Sequence, residues 1–270
     1  MMKQDRGLSR IELVVLLTLV AMVASLFLLR AGSSRESARR IDCENRLRSI
    51  FLGMQSYTLQ YGHYPIGTQD SSSPIRSEPR GYHQNWISGL LPQLNQQLLF
   101  ERIDFKFGVY ADVNRPIGEE RLAALMCASA GETLSATSTS YVGMTDSTET
   151  PINEAGDGMF LLNRRLFTRD VIDGENYVLL IGEKAFDFGP PLAWNSGTRV
   201  SLRTGGWPIN APPPSDVSPL LVGGLSSNHA GGVYGLMAGG EFRFLTDQTD
   251  PILLKQLVAR DDSAAQRDEN

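Results

Sequence analysis

The chain has 270 residues, a formal charge of −5 and only two cysteines. That acidity excludes nucleic acid as a partner. The length, less one apolar span, leaves about 240 residues, enough for a domain with a core of its own. The cysteines, Cys43 and Cys127, match no metal-binding spacing; in an exported chain they close one bridge, the alternative being two buried thiols.

Residues 1–7 form a short leader holding Lys3, Asp5 and Arg6 and ending in Gly7. From Leu13 to Leu29 no charged residue occurs, and Ile11 extends the run toward the roughly 20 residues that cross a bilayer as a helix. Residues 8–29 are therefore read as a transmembrane helix. A cleaved secretory signal is excluded because the apolar run continues to Leu29, and a lipoprotein signal because no cysteine precedes Cys43. Glu12 stands at the mouth of the span, where an acid is costly and marks function. Basic residues flank the run on both sides, so charge alone does not orient it. The arginines between Arg30 and Arg48 suit a solvated helix face and contact with anionic inner-membrane lipid.

Ala31-Gly32-Ser33-Ser34 is a weak point, and Ser33 with Glu36 has the capping-box spacing that restarts a helix. Residues 30–62 continue the helix with a buried face: Cys43, Leu47, Ile50, Met54, Tyr57 and Tyr61 recur at spacings of three and four. Gly62 and Pro65 end it. Residues 63–260 form the globular domain. Within it, 66–84 reads as a surface loop, Trp86 to Phe100 as helical turns broken by Pro92, and Gly118 to Ala128 as helical. Strands follow at Thr139–Thr145, Gly158–Leu162, Asn176–Glu183, Val233–Ala238 and Glu241–Leu245, the last two joined by a Gly239-Gly240 turn. Gly205 to Pro219, with three consecutive prolines, is an exposed loop. Asp250-Pro251 opens a short helix to about Arg260, and 261–270 is a polar, disordered tail. The fold class is α+β: a long N-terminal helix whose Cys43 to Tyr61 stripe packs on an antiparallel sheet.

No catalytic constellation is read. The histidines, His63, His83 and His229, lie in no metalloprotease or nucleophile-elbow setting, and a triad of His229, Asp173 and Ser227 is an arrangement any chain of this size allows. His229 reads as a residue that fixes a turn by hydrogen bonding, the alternative being a ligand-binding imidazole. The oxygen-rich loops Asp170 to Glu175 and Glu154 to Asp157 suit calcium by donor type, but lack EF-hand spacing and read first as capped turns.

Gly7-Leu8-Ser9-Arg10-Ile11-Glu12 resembles the type IV prepilin and pseudopilin signal, with Arg10 a departure from the usual Phe-Thr-Leu-Ile-Glu. The resemblance implies cleavage by a prepilin peptidase between Gly7 and Leu8, methylation of the new amine, and assembly through Glu12, then the fifth residue. It also implies a single-pass protein of the bacterial inner membrane, N-terminus cytoplasmic, with the domain periplasmic or in a cell-surface pseudopilus.

Further blocks extend it: Cys43-Glu44-Asn45-Arg46-Leu47 through Tyr61-Gly62-His63-Tyr64-Pro65, Trp86 with Leu90-Leu91-Pro92, Cys127-Ala128-Ser129, Thr139 to Gly143, Asp173 to Asn176 with Gly182-Glu183, and Ser227 to Gly232. In this order they resemble a large family of bacterial prepilin-signal proteins without an established biochemical role. That family ends in a histidine, nine residues and Asp-Gly; here His229 is followed at that distance by Gly239-Gly240. The implied function is a structural pseudopilin-like subunit of a type II secretion or type IV pilus-like system, with other pilin-like subunits as partners. The alternative is a monomeric, membrane-anchored exported domain that binds a polymer or glycan.

Overall fold

The structure, a computed structural model, describes residues 10–130, 134–135 and 137–262, without the side chains of residue 24 and residues 26–36. Gly7, Leu8 and residues 263–270 of the tail lie outside the described residues. The architecture is mixed α+β.

Helix α1 runs from Arg10 to Tyr61, 52 residues without a break, or about 78 Å at 1.5 Å per residue. The expected restart at Ser33 does not occur. A lone glycine such as Gly32 costs a helix only about 1 kcal/mol, which the long runs on either side outweigh. Gly62, at φ +78°, ends α1 by donating its N–H to the Thr58 carbonyl at 2.8 Å. The C-terminal half of α1 supplies core: Cys43, Leu47, Ile50 and Met54 are buried, Tyr57 is half-buried and Tyr61 is exposed. The N-terminal half presents its apolar side chains outward, Ile11 at 77% and Met22 at 65% exposure. Among the described residues no helix is long and apolar enough to cross a membrane; of the expected span, residues 8 and 9 and the side chains of 24 and 26–29 fall outside them.

Strand β1 (Thr68–Gln69) pairs antiparallel with β2 (Gln84–Asn85). The segment between them is not the surface loop expected from its composition, since Asp70, Ile75, Ser77 and His83 are buried. Asp70 folds it inward by accepting the backbone N–H groups of Ser72, Tyr82 and His83, which supplies partners a buried loop would otherwise lack. Helix α2 (Trp86–Leu90) is capped by Asn85, whose side chain accepts the Ser88 N–H. A 3-10 turn (Leu91–Leu94) and α3 (Gln97–Phe100) follow. The helix expected over Gly118 to Ala128 shrinks to α4 (Arg115–Gly118) and one 3-10 turn (Ala123–Leu125). Leu122, Leu125 and Met126 do turn inward. They do so around that single turn, with Leu122 and Met126 extended on either side of it and the Leu125 carbonyl accepting the Ser140 N–H.

The main sheet holds β3 (Tyr141–Asp146), β4 (Leu179–Glu183), β5 (Leu202–Thr204), β6 (Gly232–Met237) and β7 (Phe242–Thr246), in the order β5-β3-β4-β6-β7. All neighbours are antiparallel except β3 and β5. Residues Gly158–Leu162 are not a strand of it; Met159 and Phe160 both donate to the Met144 carbonyl and Leu162 forms a lone bridge with Thr68. Both faces of the sheet are covered, so alternate residues enter two cores. Tyr141, Leu180 and Leu236 join the α1 stripe in one. Val142, Leu179, Val233 and Leu245 meet α5 (Pro251–Val258) in the other. Asp250 caps α5 through the Ile252 N–H at 2.8 Å.

Candidate functional site

Four of the chain's chemically distinctive side chains meet where α1 crosses the end of β4. Cys43 enters from the buried face of α1 and Cys127 from the turn after Ala123–Leu125, and the two are joined by a disulfide with Cα atoms 5.1 Å apart. His229, in the loop before β6, places Nε2 3.6 Å from Cys127 Sγ and 3.5 Å from Glu183 Oε1. Glu183 ends β4, and its other oxygen accepts the Tyr234 N–H at 2.9 Å. All four residues are buried, and one donor atom from each lies within 4.8 Å of the rest.

The surrounding contacts fix this geometry. Asn228 donates to the carbonyls of Ser129 and Ala130, both at 2.8 Å, tying the His229 loop to the Cys127 turn. Arg40 on α1 donates to Ala230 O at 3.4 Å. The His229 ring stands edge-on to Tyr234, with centroids 5.4 Å apart. Tyr141, paired with Glu183 across β3 and β4, donates its hydroxyl to the Cys43 carbonyl at 3.2 Å. Burial first, and then the nearby Glu183 carboxylate, push that phenol well above its usual pKa. Beside the disulfide the cluster holds one carboxylate and one imidazole.

The other sequence candidates are dispersed. Gly239 and Gly240 make the hairpin between β6 and β7, away from the cluster. Gly240 has φ +94°, and a Cβ on Gly239 would stand 2.0 Å from Asn176 Oδ1. An aspartate at 239 would therefore displace Asn176. His63 rests between the rings of Tyr57 and Phe167, and buried His83 faces Asp70 at 3.4 Å. Ser227 accepts the His229 N–H, while Asp173 accepts the N–H of Asp262. The acidic loops do not converge on one point: Asp170 accepts from Phe167, Asp157 from Ser147, and Glu154 from Ser73.

One buried group has no signal in the sequence. Lys184, next to Glu183, is enclosed and donates to Ser138, Asp187 and Val200. Burial lowers its pKa from 10.5 to about 8, despite the attraction of Asp187. Below pH 8 the amine is charged in the folded and unfolded chain alike. Between pH 8 and 10 only the unfolded chain keeps the proton, so stability rises with pH by at most about 1.4 kcal/mol per unit. Urea unfolding at pH 7.5 and 9.5 should show the rise, and Lys184→Met should flatten it. Above pH 10 the buried phenols, held protonated in the fold, reverse the trend.

A family model described as a protein of unknown function (DUF1559) matches residues 32–252. The chain belongs to that family. No curated protein and no solved structure matches it. In this DUF1559 protein the matched region contains the whole Cys43, Cys127, Glu183 and His229 cluster, and begins within α1, after Glu12.

Proposed function

We propose that this chain is a structural, pseudopilin-like subunit, cut by prepilin peptidase between Gly7 and Leu8 and assembled through its N-terminal helix in a type II secretion or type IV pilus-like system. The observation that carries the reading is the division of α1. Its second half is core of the domain, and its first half exposes a continuous apolar surface, Leu13, Val14, Leu17 and Val20 among others. Such a surface demands cover, first from lipid and then from neighbouring helices. A rod rigidly tied to a domain transmits position from one subunit to the next, and the Cys43 bridge ties it covalently.

Gly7→Val tests the processing step. A branched side chain at the cut should obstruct the peptidase, so the precursor accumulates and the mature band falls at least about tenfold, about 1.4 kcal/mol in discrimination. Mature protein in unchanged yield would remove the cleavage assignment and favour an anchored, unassembled exported domain.

A further inference from the structure

We propose that Cys43, Cys127, Glu183 and His229 form a zinc site whenever the cysteine pair is reduced, so that disulfide and metal are alternative closures of the same cluster. The inference is independent of the assembly reading.

Two of the distances are those of ligands on one ion. A tetrahedral zinc ion with bonds near 2.0 to 2.3 Å holds its ligand atoms about 3.3 to 3.8 Å apart. Cys127 Sγ to His229 Nε2 is 3.6 Å and His229 Nε2 to Glu183 Oε1 is 3.5 Å. All four ligand atoms lie within 4.8 Å of one another; the two sulfurs, bonded to each other, stand closer than ligands do, and reduction removes that bond. A second observation points to the same cation. Glu183 is 1% exposed, yet Oε1 makes no hydrogen bond among the described residues. A buried carboxylate oxygen left so is costly, and it faces the imidazole and the sulfurs. Two thiolates, an imidazole and a carboxylate select zinc over calcium or magnesium, which prefer oxygen alone. Burial with four protein ligands makes the site structural.

The exchange balances with a dithiol reductant. It delivers two electrons and two protons to the Cys43–Cys127 bond and leaves as its own disulfide. Zinc then binds both sulfurs and displaces the two thiol protons. Re-oxidation by a disulfide acceptor reverses both steps and ejects the ion.

The test uses the full chain in detergent micelles, reduced anaerobically and freed of reductant, with zinc and its spectroscopic substitute Co²⁺ as probes. The reduced chain should take up one ion with the visible bands of tetrahedral, thiolate-bound cobalt, and zinc should raise its Tm. The disulfide-bonded chain should bind neither. His229→Ala and Glu183→Gln should each weaken zinc binding by about tenfold or more. Their circular dichroism in the disulfide-bonded state checks that they are folded, and His229→Gln replaces a variant that is not. No metal in the reduced chain would overturn the proposal. So would equal binding by the oxidised chain, or unchanged affinity in the His229 and Glu183 variants, since the thiols of a loosened chain would then suffice.

Discussion

Glu12→Ala should leave cleavage and membrane insertion intact while crosslinked multimers disappear. On the assembly reading, the amine created at Leu8 of one subunit meets Glu12 of the next when their helices are staggered, and this charge pair sets the register. Removing one member of a buried pair costs about 3 to 5 kcal/mol because the other is left uncompensated, so multimers should fall on the order of a hundredfold or more. Glu12→Gln, which keeps the shape, should fail almost as completely if charge is what matters. Multimers at unchanged yield in both variants would sink the subunit reading. The exposed apolar half of α1 would then be a membrane anchor alone.

The second large effect lies in the bridge. Cys43 and Cys127 are 84 residues apart in sequence, and in the chain-entropy model a loop of that size is worth about 4 to 5 kcal/mol, an upper figure. Folded domains hold only about 5 to 15 kcal/mol in total. Cys43→Ser with Cys127→Ser should therefore bring the domain close to unfolding and lower its urea midpoint severely. The loss should fall on the attachment of α1 first, because Cys43 lies at the start of its buried stripe. A double variant within about 1 kcal/mol of the parent would mean that packing of Leu47, Ile50 and Met54 holds the helix unaided.

Those stripe residues were legible because a helix repeats every 3.6 residues and its buried face must be apolar. The β6 and β7 hairpin was legible from alternation around Gly239-Gly240, and α5 from the Asp250-Pro251 start. What escaped was structure made by distant partners. β5 is three residues long, too short for any period, and its parallel pairing with β3 leaves no local trace. The 66–84 segment has the composition of a loop but is drawn inward by one carboxylate, Asp70. Glycine-rich and serine-rich sequence at 31–34 signalled a break, yet helix context on both sides overrode it.

The candidate site divides in the same way. Cys43, Cys127 and His229 stood out by residue type and by family blocks. The bridge between Cys43 and Cys127 was expected, but the approach of His229 to it was not, because α1, the Cys127 turn and the loop before β6 come together only in the tertiary fold. Glu183 was visible only as part of a Gly-Glu block, and Lys184 not at all, since a lysine just past a strand's end ordinarily reads as solvent-facing.

The subunit reading is tested most directly at the N-terminus of the protein purified from its own membrane. Intact-mass and N-terminal peptide measurement should find a chain beginning at Leu8 with a methylated amine. A chain that keeps residues 1–7, with an unmodified start, would contradict processing and with it assembly through α1.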